Sequence, residues 1–171
     1  MSHHHKSVPL RYIPKNLTRK DKIKQRRMLR KSRKMYNKSN QYNKSNQYYT
    51  RTPLASYKNK TSKHIVKARK LYKIDTIRPS KELAKATGCS MKALNKIVSK
   101  GEGAYFSSGS RPNQTAQSWG FARLASAVTG GKAAAVDYKI IENGCDHKKI
   151  AFRLAKKSKA KGIRRVPQVP L

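Results

Sequence analysis

Positive charge is the feature that most constrains how this chain can fold. The sequence has 42 Lys and Arg residues against 7 Asp and Glu residues, which gives a formal net charge of +35 over 171 residues. The excess is uneven, because residues 1–74 carry 23 basic residues and a single acidic one. Self-repulsion opposes compaction of such a segment, so we expect it to become ordered only against a polyanion or a protein partner.

Charge and composition divide the chain into three segments. Residues 1–74 are predicted to be a basic N-terminal arm, residues 75–155 a compact helical module, and residues 156–171 a basic, extended C-terminal tail. The arm contains the hexapeptide YNKSNQ twice in tandem, at 36–41 and 42–47. Its polar residues favour a solvated spacer between two basic helices, over 18–36 and 62–75. Because tyrosines alternate with lysines there, stacking on exposed bases is an alternative interpretation.

The fold class is predicted to be mainly α: a small helical domain with long extended or helical basic arms at both ends. Capping serines and terminating glycines indicate helices at 80–88 and 90–101. We expect a loop at 101–115, a helix of about four turns within 117–131, a short one from Asp137 to Gly144, and a basic one capped by Asp146. The core-facing residues of this last helix are predicted to be Ile150, Phe152 and Leu154.

Several classes of protein are disfavoured by the sequence. No apolar run approaches the roughly 20 residues of a membrane-spanning helix, and the N-terminus lacks an apolar secretory signal. No spacing indicates a catalytic centre, so we expect no enzyme and no cofactor. Cys89 and Cys145 form one pair at most, which fits a reducing compartment and two buried free thiols. A metal site that combines them with His64 and His147 is an alternative, although the spacing is unlike known zinc sites.

Two short motifs could bind nucleic acid or phosphate. The helix pair over 80–100, with Gly88 at its turn, is typical of a helix-turn-helix, in which Lys92 and Asn95 would face the major groove. A purely structural helical hairpin is the alternative. The loop SSGSRPNQT at 107–115 could cradle a phosphate through Arg111 at a helix N-terminus, or it could be a tight turn followed by an N-cap.

The basic segments themselves are the main candidates for binding a polyanion, because Lys and Arg clusters neutralise phosphates and release counterions. Anionic membranes and acidic protein surfaces are competing partners. Together with the two motifs, the predicted binding residues are Arg19, Lys20, Lys22, Lys24, Arg26, Arg27, Arg30, Lys31, Arg33, Lys34, Lys92, Asn95, Arg111, Lys156, Lys157, Arg164 and Arg165.

Two long segments carry a family resemblance. The sequences RYIPKNLTRKDKIKQ and GAYFSSGSRPNQTAQSWGFARLASAVTGGKAAAVDYKIIENGC lie within residues 10–147. They resemble an uncharacterised protein family of large double-stranded DNA viruses of algae and protists, and the second segment also resembles phage proteins. In that family we expect a shorter basic connector in place of the doubled YNKSNQ.

The resemblance implies a non-enzymatic virion protein, a minor capsid protein of a giant virus. Its expected partners are major and minor capsid proteins, with genomic DNA or an anionic inner membrane as further possibilities, and no small-molecule substrate. We expect it on the interior side of the capsid, and in the host cytoplasm or nucleus during assembly. The alternative function is a nucleic-acid-binding protein, either a genome condenser or a helix-turn-helix regulator.

Overall fold

The computed structural model describes residues 7–41 and 48–171, and the prediction of a mainly α fold is confirmed. Two three-residue strands and a short 3-10 helix at Leu10–Tyr12 accompany the α-helices in this part of the chain. The elements are β1 (Ser7–Pro9), α1 (Arg19–Gln41), α2 (Lys63–Tyr72), α3 (Lys81–Thr87), α4 (Met91–Ser107), α5 (Ala116–Val128), α6 (Lys132–Val136), α7 (Tyr138–Gly144), α8 (Ile150–Lys161) and β2 (Gln168–Pro170).

The chain forms two compact units whose bounds differ from the three charge-based segments. Unit 1 comprises residues 1–59, 103–116 and 165–171, and unit 2 comprises residues 60–102 and 117–164. The basic N-terminal segment is therefore grouped with parts of the chain that lie far away in sequence. Whether the basic segments need a partner in order to become ordered stays a prediction.

Unit 1 has a small core of its own. Leu17, Met28 and Leu54 are buried together, and Tyr49 and Tyr57 pack against them. The side of α1 that faces the unit carries the buried residues Gln25, Met28, Leu29, Ser32 and Ser39. A core forms because residues 49–57 supply the apolar partners that α1 lacks.

The two chain ends of unit 1 meet in a two-stranded antiparallel sheet. Val8 pairs with Val169, and Leu10 N donates to Pro167 O at 2.8 Å. Residues 156–171 were predicted to be an extended tail, but residues 156–161 belong to α8, because the basic helix continues to Lys161. The backbone of Gln168–Pro170 is extended and is paired with β1. Val8 is fully buried.

Unit 2 is built from α2, α3, most of α4 and α5, and α6 to α8, around a core that contains Leu83, Leu94, Ile97, Leu124 and Ile141. Its helices approach closely at two glycines. A Cβ on Gly101 would lie 2.6 Å from the Cα of Gly120. This contact needs glycine on both helices, since any larger side chain would overlap backbone atoms.

One buried carboxylate in unit 2 is fully paired. Arg123 Nε and Nη2 donate to the two oxygens of Asp137 at 2.7 and 2.8 Å, and Lys100 Nζ lies 3.3 Å from the same carboxylate. The bidentate geometry is the one that offsets the desolvation of buried charges best. Arg123 and Lys100 are therefore internal partners of an acid.

Several helix boundaries were predicted correctly. Ser80 Oγ accepts from Leu83 N at 3.1 Å, and Gly88 ends α3 with a φ of 73°. Helix α1 begins after Thr18, whose Oγ1 accepts from Asp21 N at 3.3 Å. The helices that follow Ser62, Ser90 and Asp137 also begin where the capping pattern places them.

Three predicted boundaries were wrong. Helix α4 continues through Gly101 to Ser107, because Gly101 provides room for Gly120 there and does not adopt the left-handed conformation of a C-cap. Helix α8 begins at Ile150, because Asp146 accepts from Lys148 N in a preceding turn; Ile150 is 42% exposed and not in the core. The first YNKSNQ copy is helical, and its Ser39 is buried. The second copy lies outside the described residues.

The prediction of free thiols was also wrong. Cys89 and Cys145 are buried as expected, but they are joined in a disulfide. The two residues face each other in an antiparallel bridge, flanked by hydrogen bonds from Ser90 N to Gly144 O at 2.7 Å and from Asp146 N to Gly88 O at 2.8 Å. The pairing joins segments 56 residues apart, which is why sequence spacing alone gave no sign of it.

Candidate polyanion-binding surface

Helix α1 carries ten of the predicted binding residues, and the fold divides them between two sides of the helix. An α-helix advances 100° per residue, so residues three, four and seven apart lie on one side. On the first side, Arg26, Arg30 and Arg33 bond within unit 1. On the second side, a row of cations points to solvent. The two groups have different roles.

The first side, here called the arginine flank (Arg26, Arg30 and Arg33), donates hydrogen bonds to backbone carbonyls. Arg26 Nε donates to Pro170 O at 3.2 Å, and Arg30 donates to Leu171 O. Arg33 Nη2 donates to Ser108 O at 2.9 Å, and burial lowers the pKa of its guanidinium. These three residues fix β2 and the segment after α4 to α1.

The second side, here called the lysine stripe, consists of Lys20, Lys24, Arg27, Lys31, Lys34 and Lys38. Their spacings are four, three, four, three and four residues, and all six are exposed. Neighbours at such spacings lie about 5–6 Å apart on a helix surface, so the stripe is about 27 Å long at 1.5 Å per residue. Lys24 Nζ also donates to Pro53 O at 3.3 Å, and Lys31 Nζ lies 4.5 Å from the centre of the Tyr49 ring.

Asp21 is hydrogen-bonded away from the stripe, although the charges of Lys24 and Lys20 also act on its carboxyl. It is the one acidic residue in the sequence of unit 1, against 19 basic residues. Its Oδ2 accepts from Ser56 Oγ at 2.6 Å and from Ser56 N at 3.0 Å. These bonds, the side-chain one first, lower the pKa of the Asp21 carboxyl. Asp21 thus connects α1 to the segment around Ser56.

Arg51 lies at the centre of the polar interior of unit 1, and sequence reasoning missed it. Its Nη1 donates to Ser32 Oγ at 3.0 Å and to Tyr105 O at 2.9 Å, and its Nη2 donates to Ser110 Oγ at 2.8 Å. The guanidinium carbon lies 3.8 Å from the centre of the Tyr105 ring. Burial lowers the pKa of this guanidinium. Partners 19 to 59 residues away in sequence leave no local signal for such a role.

Tyrosines of the repeat region stack on one another. The ring centroids of Tyr36 and Tyr48 are 5.4 Å apart, and Tyr48 stacks on Phe106 at 4.8 Å. Tyr36, at the start of the repeat, and Tyr48, directly after it, therefore lie together, which does not fit a spacer that is extended along its whole length. Base stacking by Tyr36 and Tyr48 would require this contact to open. Tyr42, the remaining tyrosine within the repeat, lies outside the described residues.

The loop at 107–115 uses its polar groups internally. Asn113, at a φ of 58°, accepts from Leu54 N at 2.7 Å and donates to Leu54 O and Tyr57 O. Ser110 is bonded to Arg51. Arg111 is exposed. The loop thus holds residues 51–57 in unit 1, which favours its structural interpretation over a phosphate cradle.

The remaining predicted binding residues are on the surface and are divided between the two units. Arg19, Lys22 and Arg165 belong to unit 1 with the stripe, and the others belong to unit 2. Lys92 and Asn95 are exposed on one side of α4, and Lys156 and Lys157 are exposed on α8. Arg164 and Arg165 are exposed in the tail, and Lys22 is half-buried on α1. Arg19, at the start of α1, is also exposed.

The structure gives two further findings that bear on function. No helix in the described part of the chain is long and apolar enough to cross a membrane. Among the same residues, no three His, Cys, Asp or Glu side chains come together as a metal site would require. The disulfide also removes both thiols from the metal site considered above.

The fold and the surface define a small, mainly helical and strongly basic protein with two compact units. The chain belongs to a family of unknown function (DUF5824), which matches residues 9–146. The match runs from the end of β1 to the residue after Cys145, so it includes the lysine stripe, Arg51 and the disulfide. No curated protein matches the chain, and no solved structure matches it.

Proposed function

We propose that the protein is a non-enzymatic structural component of a virus particle, a minor capsid protein of a large double-stranded DNA virus. It would dock on capsid proteins and use its basic surfaces to hold neighbouring subunits or the anionic interior of the particle. The resemblance of residues 10–147 to proteins of such viruses supports the viral setting. The observation that carries the structural role is the lysine stripe, a row of cations held on a folded unit.

The arrangement of α1 is what makes this role physically reasonable. The arginine flank and the buried side of the helix fix it to unit 1, so the stripe is presented by a backbone that is already ordered. A preorganised surface loses less conformational entropy on binding than a flexible basic tail does. The same protein can therefore bind an anionic neighbour and occupy a defined position next to it.

Mass spectrometry of purified particles tests the proposal. We expect the protein in gradient-purified virions at a constant copy number relative to the major capsid protein, and cross-linked to capsid proteins by a lysine-reactive reagent. In intact particles it should resist added protease, as an interior protein would. Its absence from particles, or an amount that falls with each purification step, would contradict the role.

A helix-turn-helix regulator is the second candidate, and one observation favours it. Lys92 and Asn95 lie three residues apart on the exposed side of α4, directly after the turn that follows α3. A recognition helix presents its first residues in this way. The same turn is bonded to residues 144–146, which is what a structural hairpin would require.

Selection from a random DNA library tests the regulator. If the wild-type protein enriches a sequence motif, Lys92→Ala and Asn95→Ala should weaken it at separate positions, whereas Lys81→Ala on α3 should leave it unchanged. Each lost base contact should reduce discrimination by about 1–3 kcal/mol. Enrichment of no motif would eliminate the regulator and leave sequence-independent binding.

A further inference from the structure

We propose that the lysine stripe binds the phosphate backbone of a nucleic acid without reading its sequence. The inference rests on the proposed function, because it names one class of partner for the surface on which that function depends.

The shape of the stripe is linear. Six cations follow one line along α1, at steps of about 5–6 Å, over about 27 Å. A nucleic acid strand is a linear array of negative charges, with one phosphate per 3.4 Å of duplex axis on each strand. Two lines of opposite charge can neutralise each other along their whole length.

The chemistry of the stripe fits phosphate contacts better than base contacts. Five of its six residues are lysines, whose ammonium groups act as point charges with rotatable donors. Bidentate recognition of guanine is typically made by arginine, and the arginine flank is already bonded to backbone carbonyls. The stripe therefore has the means to neutralise phosphates and few means to read bases.

Membranes and protein partners fit this surface less well. A helix that lies in a membrane interface buries a broad apolar face, but the apolar side of α1 is already packed in unit 1. The apolar residue exposed among the stripe cations is Ile23, at 43%. The centre of a protein interface is depleted in lysine and requires apolar area, which the stripe does not offer.

Local neutralisation of the stripe is confined to its N-terminal end. Asp21 is bonded to Ser56 on another side of the helix, and the rest of the described α1 sequence has no acidic residue. Asp21 interacts electrostatically with Lys20 and Lys24, at one end of the stripe, so a phosphate meets no acidic residue of the described α1 along Arg27, Lys31, Lys34 and Lys38. Its counterions are free to be released on binding, which is the main source of affinity in such complexes.

Binding measured as a function of salt tests the proposal on the full chain. The probes are a mixed-sequence duplex DNA, a single-stranded DNA of equal length, poly-glutamate, and vesicles that contain phosphatidylserine. If all six cations contact duplex phosphates, a plot of log K against the logarithm of the salt concentration should have a slope of about −5 or steeper, since each contact contributes about −0.9. Two duplexes of unrelated sequence should bind equally within about twofold, since only phosphates are contacted.

Two variants with the same loss of charge locate the site. The stripe variant is Lys20→Gln, Arg27→Gln and Lys34→Gln, and the control is Arg78→Gln, Lys81→Gln and Lys85→Gln, three exposed residues of unit 2. The stripe variant should reduce the slope by about 3 and weaken duplex binding about 100- to 1,000-fold at 0.1 M salt. The control should change affinity less than about threefold, since its residues lie off the stripe.

A third variant tests whether a loss of binding could arise from misfolding and not from the loss of charge. This variant carries Lys20→Arg, Arg27→Lys and Lys34→Arg, which keep the charge of the stripe, so it should keep the wild-type salt slope. Circular dichroism should show that all three variants are folded. Equal losses in the stripe and control variants would overturn the proposal, because net charge alone would explain them. The comparison of the two DNA probes shows whether duplex or single-stranded backbone is preferred.

The outcomes separate this inference from the proposed function. Tighter binding to poly-glutamate or to vesicles than to either DNA would overturn the nucleic-acid assignment, while the protein could still be a virion component. Stripe-dependent DNA binding by a protein that is absent from particles would support the inference and contradict the proposed function.

Discussion

At the scale of single residues, a buried arginine organises the most basic part of the chain. Arg51 bonds residues from α1, from α4 and from the loop after α4, all within unit 1. Its charge is stabilised by hydroxyl and carbonyl dipoles and by the face of the Tyr105 ring. A chain with almost no acidic residues in this unit thus satisfies a buried cation without an ion pair.

We predict that Arg51→Met destabilises unit 1 by about 3 kcal/mol, because Tyr105 O loses its hydrogen bond in the interior and two hydroxyls lose a donor. Urea unfolding followed by tyrosine fluorescence measures the change. Arg27→Met, at an exposed position of α1, is the control and should cost less than about 0.5 kcal/mol. Equal effects of the two substitutions would contradict the role of Arg51.

Asp21 should make the stability of the protein depend on acidic pH. Its folded pKa lies below the ordinary value of 3.8, so its contribution is complete above about pH 4 and is lost as pH falls through the lower folded value. Thermal unfolding at pH 5 and pH 2.5 should show a larger drop for the wild type than for Asp21→Asn. Equal drops in the melting temperatures of the two proteins would show that the bonds to Ser56 do not contribute to stability.

At the scale of elements, the glycines of α4 show what a sequence pattern can and cannot indicate. Ser80 and Gly88 were recognised as helix ends because capping is a local event. Gly101 has the same local features of a stop, but its role is set by Gly120, which is distant in sequence. The helical first copy of YNKSNQ was missed for a related reason, since elongation of an existing helix costs little.

We predict that two glycine substitutions on α4 change the stability of the protein in opposite directions. Gly101→Ala should destabilise the protein by about 1–3 kcal/mol, because the new Cβ overlaps the backbone of α5. Gly103→Ala meets nothing within 4 Å and should stabilise α4 by up to about 1 kcal/mol. Chemical denaturation of the two variants gives the comparison. A stabilising Gly101→Ala would mean that the helices can separate.

The disulfide should dominate the stability of unit 2. Closing a loop over a separation of 56 residues is worth about 4 kcal/mol in the loop-entropy estimate. Reduction, or Cys89→Ser with Cys145→Ser, should lower the unfolding free energy by about that amount. The double variant should then be insensitive to reductant, which serves as the control. An unchanged melting temperature on reduction would contradict this prediction.

At the scale of the whole molecule, net charge sets the response to salt. With a charge of +35, self-repulsion opposes folding and is screened as the Debye length falls from about 30 Å at 0.01 M to about 8 Å at 0.15 M. We expect the melting temperature to rise over this range in sodium chloride, in the absence of any ligand. A neutral osmolyte at equal osmolality should not reproduce the rise. A melting temperature that does not change with salt would show that the repulsion between the basic residues is already relieved within the fold.

The sequence was sufficient for the helical class, for most helix starts and for the region where cationic residues are concentrated. It could not separate the lysine stripe from the arginine flank, because both read as one basic run over 19–38. Their difference arises from where β2 and Ser108 lie around α1, and those contacts span up to 144 residues. Cys89 and Cys145 were likewise read as free thiols, because their pairing depends on the turns beside α3 and α7.

The stack of Tyr36 on Tyr48 has a practical consequence for engineering. Because this stack brings Tyr36 and Tyr48 together, the sequence between them is a suitable place to insert a foreign peptide. An epitope or a fluorescent reporter inserted between the two copies should leave the melting temperature of the rest of the protein unchanged. Such a reporter would label the protein without changing β1 or β2.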